Sequence, residues 1–309
     1  MRLAYLIQCH KDPLQVNRLI KALDHASGED AVDFYIHVDR KSNIQPRIMT
    51  GHNIFFIADN DRINVQWGQI SQVDATLSLL RLAARSGSKY DYFWYISGQD
   101  YPIKSNAEIL AFLKKHNGKN FMRGFGPENP IYKRFLKRNE IGYPPWMMRS
   151  SIPTKVLRRL YTLVTGGERH TFGVFKKVQT ALIKLSAKYS DGQTSYYFGS
   201  AWFTLTAPCV KFILDYLEKE PSYYESFKNT VIPDESFFLT LVLNSPFRKD
   251  VASELCYVDW SEHKRNPKLF TKEDYNALVA SQCFVARKFD AAVDTDILDM
   301  LDKHNHHSS

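Results

Sequence analysis

Apolar positions along the first 120 residues follow two alternating periods. Residues 2–9 (RLAYLIQC) form a largely apolar run and predict a buried first strand. Asp12 then precedes Val16, Leu19, Ile20 and Leu23, spaced i, i+3, i+4 and i+7, so a capped helix follows. Residues 33–39 (DFYIHVD) and 53–58 (NIFFIA) are β-rich, and a second helical stripe runs through Val73, Leu77, Leu80 and Ala84 within residues 70–85. Residues 90–97 (YDYFWYIS) are aromatic at successive positions, as expected of a strand covered on both faces. Ser105 and Glu108 stand ahead of an apolar run at 109–113, a capping box opening a helix that ends near Gly118. Strand and helix in this order predict an α/β fold with a parallel sheet, which binds ligands at the carboxyl ends of its strands.

The pattern changes after residue 120. Residues 124–150 combine glycines and prolines with a basic cluster, Lys133, Arg134, Lys137 and Arg138, and residues 151–190 read as helical and basic. Regular structure returns with a strand at 201–206 (AWFTLT). A helix follows with Pro208 in its first turn and Val210, Ile213, Leu214 and Leu217 as its buried stripe. Pro233, Asp234 and Glu235 open a further helix. No repeat, low-complexity tract or linker is visible, which favours a single domain with an irregular insertion.

The chain has 309 residues, 44% hydrophobic and 24% charged, which rules out a disordered, collagenous or disulfide-scaffold protein. Lys+Arg 41 against Asp+Glu 33 leaves +8. That excess points to an anionic partner without choosing among nucleotide, acidic glycan, nucleic acid and lipid headgroup. Nucleic acid is disfavoured, because the 17 Tyr and 20 Phe sit in apolar runs rather than interleaved with cations. The opening MRLAYLIQCHKDP is too short and wrongly flanked for a signal peptide, and no apolar run approaches the roughly 20 residues that span a bilayer. Cys9, Cys209, Cys256 and Cys283 show no C-x-x-C spacing and read as reduced, packed thiols. These features lead us to expect a cytoplasmic protein. His304, His306 and His307 read as a frayed polar tail.

Several residue types invite chemistry. Glu235, at a helix start, is a candidate general base, although acids there also simply offset the helix dipole. Lys288, in a stretch (FVARKFD, 284–290) that reads equally as an edge strand with solvated cations, could meet a phosphate. Arg265, in a basic irregular segment, could join it; two cations on a diphosphate stabilise a leaving group as a metal ion does. Asp59-Asn60-Asp61 and Asp294-Thr295-Asp296 are weak metal candidates, a turn and a helix start respectively. Asp39 is followed by Arg40 and Lys41, which disfavours a divalent cation there. No Gly-x-Gly-x-x-Gly follows the first strand, which disfavours a dinucleotide fold and a P-loop. Gln99 and Asp100 are polar groups at the sheet's ligand-binding edge, beyond what a turn at Gly98 and Pro102 requires. Trp67, just before a helix, reads more readily as core than as a stacking platform.

Seven stretches in register carry a family resemblance: LIQCHKDP at 6–13, YIHVDRKS at 35–42, QWGQISQVDATL at 66–77, YISGQDYPI at 95–103, GSAWFTLT at 199–206, IPDESFF at 232–238 and ARKFD at 286–290. The chain resembles glycosyltransferase family 14, which contains the core-2/I-branching β-1,6-N-acetylglucosaminyltransferases and the peptide O-xylosyltransferases. The match weakens over residues 125–195. The resemblance implies a GT-A-type, Rossmann-like nucleotide-binding sheet flanked by helices, with an irregular basic helical insertion. On that basis residues 1–309 form one glycosyltransferase domain: a nucleotide-binding half at 1–120, an insertion and acceptor region at 121–195, and a catalytic half at 196–309.

The implied reaction is an inverting, metal-independent transfer from a UDP-sugar, with N-acetylglucosamine the favoured donor sugar and xylose the runner-up, onto a glycan or glycolipid hydroxyl. No cofactor is expected. By motif position Glu235 matches the catalytic base, Lys288 the diphosphate-binding lysine and Arg265 its partner. Ile7, Gln8, Cys9 and Asp39 fall where the family holds the nucleoside, and Trp67 where a branching enzyme has tyrosine. Gln99, Asp100, Glu128, Lys133, Trp202 and Asp234 are assigned more weakly to the donor and acceptor pocket. Metazoan members carry a membrane anchor and disulfides, so this chain looks like a bacterial-type soluble member. The expected location is cytoplasmic, with the basic cluster at 133–138 and the helices at 155–188 able to rest on anionic lipid at the inner face of the membrane. A catalytically silent nucleotide- or glycan-binding protein is the competing reading.

Overall fold

The computed structural model describes residues 1–24, 29–133, 135–136, 195–262 and 266–307. Its centre is a seven-stranded sheet in the order β3-β2-β1-β4-β7-β6-β8. The strands are β1 (Arg2–Cys9), β2 (Ala31–Val38), β3 (Ile54–Phe56), β4 (Tyr92–Ser97), β6 (Asn120–Phe125), β7 (Phe198–Thr206) and β8 (Val251–Ala252). β1, β2, β3 and β4 run parallel, and β7 is antiparallel to both β4 and β6. A second, three-stranded sheet has the order β5-β10-β9, with β5 (Asp100–Pro102), β9 (Cys256–Val258) and β10 (Val285–Arg287).

The aromatic run of β4 is covered on both faces, as its sequence requires. Tyr92, Trp94 and Ile96 enter one core with α1 (Pro13–Leu23), α3 (Asn106–Lys115) and the C-terminal α8 (Asp296–His307). Phe93 and Tyr95 enter the other, with α2 (Ser71–Ala84), α4 (Ala207–Lys219), α5 (Pro221–Phe227) and α6 (Phe237–Leu243). β1 splits likewise, with Leu3, Tyr5, Ile7 and Cys9 on the first side and Ala4 and Leu6 on the second.

Local signals set several boundaries. Asp12 accepts from the Gln15 amide at 3.0 Å and caps α1. Ser105 and Glu108 form the full capping box of α3. Cys9, Cys209, Cys256 and Cys283 are all free thiols. α6 has only seven residues, too few to be stable alone. It holds because Phe237, Phe238, Leu239, Leu241 and Val242 are all buried, each such side chain contributing roughly 1.5–3 kcal/mol.

Four expectations are corrected. The Pro233–Glu235 segment is a separate 3₁₀ turn, because Ser236 breaks from helical geometry at φ −139° before α6 begins. The stretch around Lys288 is not an edge strand: β10 is the central strand of its sheet, flanked by β5 and β9. The terminal histidines do not fray, since α8 reaches His307 and His304 packs edge-on against Tyr275 of α7 (Tyr275–Ala280). Ala84 is exposed, and Ala83 takes its place on the buried stripe of α2. No helix among the described residues is long and apolar enough to cross a membrane.

Candidate active site

An open cleft of about 630 Å³ lies at the carboxyl ends of β1 and β2, lined by His10, Lys11, Asp12, Asp39, Lys41 and Arg47 among others. The Asp39 amide donates to the Cys9 carbonyl at 2.9 Å and joins the two strand ends. The Asp39 carboxylate accepts from the Lys41 amide at 2.9 Å and pairs with the Lys41 ammonium at 3.5 Å. Lys41 also donates to the Val65 carbonyl. Desolvation holds His10 below the ordinary imidazole value, and Lys11 adds to the effect. Three long cations against two carboxylates suit an anionic ligand.

Lys288 is linked to the cleft lining twice: its charge acts on His10, and Lys11 pairs with the residue two positions beyond it. Lys11 pairs with Asp290 at 2.6 Å, tying the residue after β1's turn to the segment after β10. Lys288 is half-buried, and burial lowers its ammonium from the usual value, with the charges of Arg287 and Lys11 acting in the same direction. A cation in such a place is poised for an anion that would restore its charge balance.

Asp100 lies next, fully buried at 0% exposure. It accepts from the Ser97 amide at 2.7 Å, the Ser97 hydroxyl at 2.8 Å and the Trp202 indole nitrogen at 2.6 Å. The Arg287 guanidinium lies over the Trp202 ring, 3.7 Å from its centroid. Gln99 donates to the Phe289 carbonyl at 3.3 Å and accepts back from the Phe289 amide through its own carbonyl at 2.8 Å. Gly98 is required at this turn, because a Cβ there would sit 2.8 Å from the Cβ of Cys9.

Tyr95 links this group to the sheet. Its hydroxyl donates to Gln8 at 2.5 Å, and Gln8 in turn donates to Gln72 at 2.9 Å. Burial raises the Tyr95 phenol, and the charges of Asp234 and Asp100 raise it further. The 3₁₀ turn Pro233–Glu235 that carries Asp234 and Glu235 is aimed by its neighbour. Ile232 adopts the left-handed conformation at φ 55°, a strained one for a β-branched residue, and its amide donates to the Gly68 carbonyl at 2.9 Å. Gly68 itself has φ 72°. Trp67, beside it, is 63% exposed, which corrects its reading as a core residue.

The candidates from sequence therefore separate. Asp100 is hydrogen-bonded to Trp202, Gln8 to Tyr95, and Gln99 to the backbone of Phe289 next to Lys288, while Asp234 and Glu235 share the 3₁₀ turn. Ile7 is a core side chain at 0% exposure. Cys9 is buried too, its thiol pushed up to about 12 by burial, so it contributes backbone rather than side chain at the cleft. Glu128 is exposed and accepts from the Gly126 amide at 3.1 Å, near Tyr197, and Lys133 is exposed. Arg265, the rest of the 133–138 cluster apart from 135–136, and the basic helices at 155–188 lie outside the described residues. No cluster of three or more His, Cys, Asp or Glu suited to a metal ion occurs among the described residues. Asp59 pairs instead with Arg62 at 3.2 Å, and Asp294 accepts from the Ile297 amide at 3.1 Å. Sequence reasoning passed over Lys11, Lys41, Arg47, Tyr95 and Arg287. Lys11, Lys41, Tyr95 and Arg287 stood in motifs already singled out, but nothing local marks Arg47.

A family model described as core-2/I-branching enzyme matches residues 3–280. The chain belongs to the core-2/I-branching enzyme family. Xylosyltransferase 2 of Canis lupus familiaris is 27% identical over 333 residues, covering 98% of this chain and 34% of that protein. Xylosyltransferase 1 of Rattus norvegicus is 25% identical, covering 98% of this chain and 35% of that protein. The chain thus spans about a third of the length of the curated relatives it matches. Among solved structures, mouse xyloside xylosyltransferase 1 is similar with a TM-score of 0.37 and 12% identity, over 93% of this chain and 97% of that one. An active-site mutant of LgtC gives 0.34 and 13%, over 93% and 87%.

Proposed function

We propose that this member of a glycosyltransferase family transfers a sugar from a UDP-sugar to a glycan or glycolipid hydroxyl, with inversion at the anomeric carbon and without a metal ion. N-acetylglucosamine is the proposed donor sugar and xylose the alternative. What supports the reading is the cationic cleft at Lys11 and Asp39, half-buried Lys288 two residues before the Asp290 that pairs with Lys11, and the turn bearing Asp234 and Glu235. An inverting displacement needs those three things: a nucleotide pocket, a cation behind the leaving group, and one carboxylate to take the proton of the attacking hydroxyl.

In this reading Glu235 deprotonates the acceptor hydroxyl as its oxygen attacks the anomeric carbon, and the bond to the β-phosphate oxygen breaks. Lys288, with Arg265 as its proposed partner, neutralises the charge that grows on UDP. The nucleoside lies in the cleft against Asp39, with Trp67 at its rim.

The test is a donor screen with UDP-GlcNAc, UDP-xylose, UDP-glucose, UDP-glucuronic acid and UDP-galactose, read by UDP release and thermal shift. One donor giving UDP release above the buffer control is the expected result. Absence of both release and UDP binding across the panel would overturn the reading in favour of a silent member.

A further inference from the structure

Asp100 is a carboxyl side chain with no access to water, and its surroundings supply the partners that burial demands. Three short donors reach it: the Ser97 amide at 2.7 Å, the Ser97 hydroxyl at 2.8 Å and the Trp202 indole nitrogen at 2.6 Å. The Arg287 Nε lies 3.9 Å away, too far for a hydrogen bond yet close enough to balance the charge. Asp100 and Arg287 face each other across the β5–β10 ladder of the small sheet, while Trp202 comes from β7 of the large sheet. The carboxylate therefore joins the two sheets.

The indole is held twice. Asp100 fixes its edge, and Arg287 covers one face at 3.7 Å. Trp202 nonetheless remains partly open to solvent. Arg287 keeps one buried nitrogen, Nη1, with no acceptor among the described residues. A half-open aromatic ring of fixed orientation, beside a spare donor, is incomplete as core packing and well formed as a wall against a polar ring with apolar C–H faces, which is to say a sugar.

We propose that Asp100 is a positioning residue: it locks the Trp202 indole and the Arg287 guanidinium into one stacked wall that orients the transferred sugar. The inference rests on the glycosyltransferase reading above and names a residue that acts through Trp202 rather than by touching substrate.

The test uses the full chain and four variants, Asp100→Ala, Asp100→Asn, Trp202→Phe and the double Asp100→Ala/Trp202→Phe, assayed with the donor that the screen selects. Asp100→Ala should lower kcat/KM roughly 100-fold, the scale of a misplaced reactant, mainly through kcat. Asp100→Asn keeps an oxygen for the indole N–H and should recover most of that loss. The double variant should match Trp202→Phe within about twofold, because of the two wall groups Asp100 hydrogen-bonds only the indole and holds the 3.9 Å-distant guanidinium through the ring it stacks on. The near-UV circular dichroism assigned to Trp202, taken as wild type minus Trp202→Phe, should vanish in Asp100→Ala and persist in Asp100→Asn. Should Asp100→Ala fail to fold, Asp100→Ser takes its place in the same cycle. Full kcat/KM in Asp100→Ala, or losses that multiply in the double variant, would overturn the proposal while leaving the transferase reading intact. A wild-type protein that neither binds UDP nor releases it from any donor overturns both.

Discussion

Lys11 and Asp290 form a 2.6 Å ion pair between segments that follow the first and the last strands of the chain. The pair ties the cleft of the large sheet to the segment that bears Lys288, and Lys11 holds the Asp290 carboxyl below the usual carboxylate range. Lys11→Met should weaken UDP binding roughly tenfold in calorimetry, the value of one charge-assisted contact. Lys11 is substantially exposed, so the pair itself is worth only about 0.2–1 kcal/mol and the melting midpoint should fall by less than about 4 °C. The Asp290 contribution is present above the unfolded carboxyl value and lost as pH falls through the lowered folded value, so the difference between variant and wild type should shrink in acid. Unchanged UDP affinity would separate this pair from the nucleotide.

Glu235→Gln should reduce transfer about 100- to 10,000-fold while UDP still binds, the range of general-base catalysis. Asp234→Asn should cost less if Glu235 is the base. The reverse order in steady-state rates would assign the proton to Asp234.

Lys288→Ala should weaken UDP affinity and turnover together, because in the proposed reaction the same ammonium meets the diphosphate in the ground state and the growing charge in the transition state. A loss of about 2.7–4 kcal/mol in kcat is the scale of one removed oxyanion donor. A UDP titration curve that superimposes on the wild type would remove Lys288 from the leaving-group site.

Treatment with EDTA should leave the selected activity intact, since fixed cations take the place of a divalent ion in the proposed chemistry. A strict Mn²⁺ requirement in the same assay would reopen Asp59 and Asp61 or Asp294 and Asp296 as ligands.

His37 is fully buried on β2 and accepts from the Ile63 amide at 2.9 Å, with its ring lowered to about 4 chiefly by burial. A lowered folded value means that the stability is complete above the unfolded value of about 6.5 and is lost as pH falls toward 4. Across that window each pH unit should cost about 1.4 kcal/mol in chemical denaturation. His37→Gln should remove that slope; a slope unaltered in the variant would place the titrating group elsewhere.

The elements and fold class were legible because their causes are local. The i, i+3, i+4, i+7 stripe of α1, its Asp12 cap, the Ser105–Glu108 box and the two-sided aromatic run of β4 are all written in neighbouring residues, and backbone geometry follows from them. The family motifs were legible for the same reason. What sequence could not contain is which distant segments meet. β10 reads as an edge until residues 100–102 and 256–258 flank it, and Asp100 reads as a polar group at the sheet edge whose partners, Trp202 and Arg287, come from two other strands. Ile232 is left-handed and donates its amide to the Gly68 carbonyl, next to the exposed Trp67, a contact between residues far apart along the chain. The amino-acid order determined the strands, the helices and the residue types at their ends. Only tertiary packing decided which of those charges share one space, because burial and Coulomb interaction depend on distance through the fold rather than along the chain.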